Sequence, residues 1–77
     1  MADYGKAYTA ILCEMVKELH RSKHINNRGL KRAANSRIGA WRTSLLLILQ
    51  TEHGMTEEQA EWAVLESVRP WRSAENE

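Results

Sequence analysis

By type and spacing, Cys13, His20 and His24 are the side chains in this 77-residue sequence most able to do chemistry together. Steps of seven and four residues would align them along one face of a helix, and thiolate and imidazole are both zinc ligands. The set has no fourth ligand, and residues 22–27 read as a loop that would take His24 off the shared face. No metal site is expected. Phosphate-loop, dinucleotide-binding and paired-cysteine patterns are absent, and the four glycines (5, 29, 39 and 54) are scattered. Asp3 is the only aspartate, and no histidine stands near a carboxylate in a way that suggests a triad. The expectation is a protein without catalytic residues or cofactor, and not an enzyme.

Charge gives a second kind of candidate. Residues 17–42 hold eight Lys or Arg against Glu18 alone, whereas residues 51–77 hold seven Glu against Arg69 and Arg72. The net charge is only +1, so the middle is basic and the end acidic. Lys23, Arg28, Lys31, Arg32, Arg37 and Arg42 could meet phosphates, the groups that supply most nucleic-acid affinity. A helix-turn-helix reading fails on charge: Glu57, Glu58, Glu61 and Glu66 would repel phosphate from the would-be recognition helix. The bland alternative is a basic middle neutralised by the acidic end within one fold.

The third candidate is a contact surface for another protein. Trp62 and Leu65 fall opposite the apolar stripe of the last helical segment, among Glu58, Glu61, Glu66 and Arg69. An outward Trp with an aliphatic neighbour one turn away is a common anchor, because Trp brings much contact area at small entropy cost. The expected function is therefore a small regulatory or inhibitory module acting by protein–protein binding, of the kind found among phage-encoded or bacterial accessory proteins. Nucleic-acid binding through the basic segment is the alternative.

Three helices are needed to position these residues. The first is expected over about residues 3–21, capped by Asp3, with Tyr4, Tyr8, Ile11, Leu12, Met15, Val16 and Leu19 on one broad face. The second is expected over 28–53, capped by Asn26 or Asn27 and stopped by Gly54. Its main stripe is Leu30, Ala34, Ile38, Trp41, Leu45, Ile48 and Leu49. Nearly opposite lie Ala33, Ser36, Ala40, Thr43 and Leu47, with Leu46 and Gly39 at the edge. A helix apolar on two sides belongs inside something. Either the other two helices sandwich it, or a second copy of the chain covers Ala33, Ser36, Ala40, Thr43, Leu46 and Leu47.

The third helix is expected over 57–69. It opens with a capping box, Thr56-Glu57-Glu58-Gln59, and ends before Pro70, leaving residues 72–77 frayed. The fold class is all-α: one domain over residues 1–77, a three-helix bundle with a long central second helix, paired as a homodimer. So short a chain buries only about 60–65% of its unfolded surface, and a second copy would thicken its core. The longest apolar run, residues 45–49, is too short to span a bilayer. With a single cysteine and no leader pattern at its start, the chain reads as cytoplasmic, without a membrane partner.

Overall fold

The computed structural model describes residues 3–75. It is a compact all-helical fold of three helices: α1 (Lys6–Ser22), α2 (Arg28–Glu52) and α3 (Glu57–Glu75). There is no strand among the described residues, and no helix there is long and apolar enough to cross a membrane. The 25 residues of α2 make a rod of about 37 Å at 1.5 Å per residue, close to the 39 Å long dimension of the molecule.

Local chemistry sets most helix ends. Asn27 caps α2, its side chain accepting a hydrogen bond from the amide of Leu30 at 3.1 Å. Gly54 follows the end of α2 with φ +63°, a left-handed conformation that glycine adopts without strain, and the amide of Met55 then returns to the carbonyl of Leu49. The capping box of α3 is formed in both directions. The amide of Gln59 donates to Thr56 Oγ1 at 3.2 Å, and the amide of Thr56 donates to Gln59 Oε1 at 3.0 Å. Asp3 does not cap α1. Its carboxylate accepts from the amide of Gly5, and Gly5, at φ +98°, makes the entry to the helix two residues later.

The core lies where the three helices meet. Tyr8 and Met15 of α1, Leu45 and Leu49 of α2, and Ala60, Ala63, Val64 and Val68 of α3 are buried together. Tyr4, Ile11, Leu12, Leu19, Ile38, Trp41, Leu46, Ile48 and Met55 pack partly buried around them. The phenol of Tyr8 meets Ser67 Oγ at 2.8 Å, tying α1 directly to α3.

α2 is the longest helix, and of the two alternatives for its second strip the sandwich between the other helices does not occur, while two further expectations are corrected. α1 and α3 touch each other, so both lie on one side of α2 and its opposite strip stays open. Leu30, expected on the core stripe, is 60% exposed. Ala34 is the first residue of α2 to be buried, so Leu30 stands one turn beyond the core. α3 does not stop before Pro70 but runs through it to Glu75. A proline inside a helix forfeits a backbone hydrogen bond and costs about 3 kcal/mol. Continuing the helix brings Trp71 beside α1, where it lines a groove with Cys13, Val16, Lys17, His20 and Arg21 while remaining 44% exposed. The expected frayed tail is therefore helical backbone through residue 75, and residues 76–77 lie outside the described part.

Candidate protein-binding face

α3 buries one side and presents the other. With Ala60, Ala63, Val64 and Val68 turned into the core, helical geometry turns Glu58, Trp62, Leu65 and Arg69 outward. These four follow one another at intervals of four, three and four residues, which makes a single line along the helix. Trp62 is 61% exposed and Leu65 53% exposed. Nothing in the described chain covers them.

The line has structured borders. On one side, Glu61 reaches Arg42 of α2 at 3.9 Å. On the other, Glu66 pairs with Arg69 at 3.0 Å. Leu65 also forms a lip of a groove of about 160 Å³, together with Met15, Leu19, Ile38, Arg42, Val64 and Val68. The apolar surface thus dips from Leu65 toward the junction of the three helices, with Arg42 as its cation.

The strip on α2 is of different quality. Ala33, Ser36, Ala40, Thr43 and Leu47 are exposed, and Leu47, at 59%, is the only large side chain among them. Thr43 is spent on its own helix, donating to the carbonyl of Gly39 at 2.9 Å. Leu46, grouped with this strip from the sequence, instead packs against the core.

The basic segment divides in two. Arg28, Lys31 and Arg32 are exposed in the first turns of α2, and Lys23 is exposed in the loop before it. No acid occurs in the first turn of α2. These cations therefore stand at the positive end of the helix dipole, an unfavourable place for them. Arg37 and Arg42 are held elsewhere. Arg37 binds the carboxylate of Glu18, and Arg42 faces Glu61.

Glu18 is the polar residue that sequence reasoning missed. It is only 3% exposed, and its two oxygens are taken by Arg37 Nη2 of α2 and, at 3.3 Å, by Arg21 Nη1 of α1. A buried carboxylate needs such partners, because taking a charge out of water is costly. The signal was present: Glu18 continues the buried spacing of Ile11 and Met15, and it is the one acid in a basic stretch.

Cys13, His20 and His24 do not assemble. α1 ends at Ser22, so His24 lies in the loop, its amide bonded to the carbonyl of Arg21. Among the described residues no three His, Cys, Asp or Glu side chains converge to hold an ion. Cys13 is half-buried and lines, with Trp71, the groove of about 370 Å³. Burial pushes the Tyr8 phenol up, the hydrogen bond with Ser67 opposes this, and nearby Tyr4 adds to the rise.

Compared with protein-family models, curated proteins and solved structures, the chain has no significant match. The functional reading therefore rests on the geometry of its own surfaces.

Proposed function

We propose that this chain is a small, non-enzymatic regulatory or inhibitory module of the cytoplasm, which works by binding protein through the outer face of α3. The observation that carries the reading is the exposure of Trp62 and Leu65, one turn apart, on a helix whose opposite side already fills the core. Large apolar side chains left in water next to a groove gain most by being covered, and Trp is enriched at the centres of such contacts. Glu58, Glu61, Glu66 and Arg69 supply the polar rim. An origin among phage-encoded or bacterial accessory proteins fits a module of this size and is part of the same proposal by analogy. Self-association belongs with it too, because a thin core gains from a second copy.

The test compares wild type with Trp62→Ala in capture from the native host, with and without nuclease, beside thermal unfolding of both. Loss of the captured protein with the melting temperature kept is the expected result. Unfolding by Trp62→Ala, or capture unchanged by it, would end the reading.

Nucleic-acid binding remains the second reading, and one observation favours it: Arg28, Lys31 and Arg32 sit at the start of α2 against the helix dipole, with no acid in that turn. Phosphate binding there would weaken steeply with salt, by a log–log slope of about 0.9 per duplex phosphate contact. A gel shift with generic DNA and RNA at low salt decides it. An absence of any shift removes this reading.

A further inference from the structure

The outer line of α3 is its own complement. Glu58, Trp62, Leu65 and Arg69 read acid, apolar, apolar, base along the helix, at intervals of four, three and four residues. If a second α3 is laid antiparallel on this line, with the two-fold axis between Ala63 and Val64, each residue meets one of opposite or matching character. Glu58 then stands at the level of Arg69 of the other copy, and Trp62 at the level of Leu65. The two-fold repeats both pairings with the chains exchanged. We infer that the partner of this face is a second copy of the same chain, docked α3 against α3 in antiparallel register.

The inference rests on the reading of Trp62 and Leu65 as a contact surface, and it adds the identity and the register of the occupant. Four observations support it. The interval pattern is that of the seam along which helices pack side by side, with alternate steps of three and four keeping one line in contact. The face is open, since the core lies on the other side of α3. Among the described residues Glu58 makes no ion pair within its own chain, and Arg69, itself exposed, pairs with the half-buried Glu66 one turn back. The flanking Glu61 has Arg42 of its own chain 3.9 Å away, a cation that partly screens it from a second copy. An isologous contact of this kind is closed, each patch being used once, and it yields a dimer rather than a fibre. The strip on α2 has no comparable pattern of charge.

The register makes a demand that an unrelated partner would not. Glu58→Arg places two cations against each other at both ends of the dimer, and Arg69→Glu places two carboxylates there. Each variant alone is expected to dimerise roughly tenfold or more weakly than wild type, since two rim pairs turn from attraction to repulsion. Mixed in equal amounts, the two variants are expected to pair with each other, and the double variant Glu58→Arg/Arg69→Glu is expected to recover self-association. Trp62→Ala, at the centre, is expected to weaken the dimer by on the order of a hundredfold.

Sedimentation equilibrium over a concentration series reads all six samples, wild type included, with circular dichroism confirming that each remains helical. A wild-type mass near 8.9 kDa at every concentration overturns the second-copy inference. In that event a protein captured through Trp62 would still uphold the broader reading. A dimer indifferent to Trp62→Ala and to the charge variants overturns the inference as well, because it would place the contact elsewhere, as on the α2 strip. Recovery by the double variant and by the mixture is the result that establishes the register.

Discussion

The carboxylate of Glu18 on α1 is held by the guanidinium of Arg37 on α2, nineteen residues further along the chain. Arg21 grips the same group from its own helix. The pairing joins α1 to α2 through a polar contact beside the apolar packing.

Its removal should be felt. Glu18→Gln keeps the shape but gives up the charge-assisted bonds, which are worth about 1.5–3 kcal/mol each when buried and less here because both guanidinium groups are half in water. A loss of about 1–2 kcal/mol is expected in urea unfolding. Arg37→Ala should cost at least as much, since it leaves the buried carboxylate with Arg21 alone. If Glu18→Gln leaves the unfolding midpoint unchanged, the clamp contributes nothing to stability.

The contrast between Trp62 and Leu45 is a second expectation. Leu45 is fully buried, and Leu45→Ala should cost about 2–5 kcal/mol through lost burial and a residual cavity. At about 0.05–0.15 kcal/mol per residue, the whole chain has only about 4–12 kcal/mol to lose. Leu45→Ala therefore risks unfolding the domain. Trp62→Ala should shift the stability of a single chain by less than about 0.5 kcal/mol, as is usual for surface positions. Denaturant melts at a concentration low enough to keep the chains apart measure both.

How far the sequence foretold this arrangement depends on the range of the interaction concerned. The cap at Asn27, the stop at Gly54 and the capping box at Thr56 are decided within a few residues of chain, and a local reading finds them. The outward position of Trp62 and Leu65 follows from helical geometry once the buried side of α3 is known. Leu30 and Pro70 are different. Leu30 has the right spacing for the core stripe, but whether a neighbour reaches it depends on where the core ends. Pro70 disfavours helix locally, yet α3 runs through it to Glu75 and brings Trp71 beside α1, a relation between distant segments that a local rule does not contain. Glu18 is divided: its spacing after Ile11 and Met15 places it on the inner side of α1, but no spacing within α1 announces Arg37 of another helix as its partner. The side on which α1 and α3 lie relative to α2 was likewise a matter of packing, which is why the strip from Ala33 to Leu47 looked ready to be covered and is open.

The capping box gives a third expectation. Thr56→Ala removes the acceptor for the amide of Gln59 and should cost about 1 kcal/mol. Gln59→Ala removes the reciprocal acceptor for the amide of Thr56. Because the two residues form one unit, the double variant should cost less than the two single losses added together. A double-mutant cycle by thermal unfolding measures the coupling, and strict additivity would mean that the reciprocal bonds act independently.

The last expectation concerns alkaline pH and Tyr8. Burial raises the pKa of its phenol above the ordinary value of 10.0. Between about 10 and the higher folded value, the unfolded chain has released this proton while the folded chain still holds it. Stability therefore falls as pH climbs through that interval, and Tyr8 adds no pH dependence below it. The Ser67 hydroxyl already donates to the carbonyl of Ala63 at 2.8 Å, so its single proton is engaged and the neutral phenol is the donor to Ser67. Ionised Tyr8 loses that role and must be buried as an anion unless Ser67 turns its proton back. Tyr8→Phe should cost about 1 kcal/mol at pH 7 for the lost hydrogen bond. It should also remove part of the alkaline decline, so that the difference in stability between wild type and variant shrinks as pH rises past 10. Urea midpoints for both proteins from pH 7 to 11 test this, and a difference that stays constant across the range would show that Tyr8 does not titrate differently on folding.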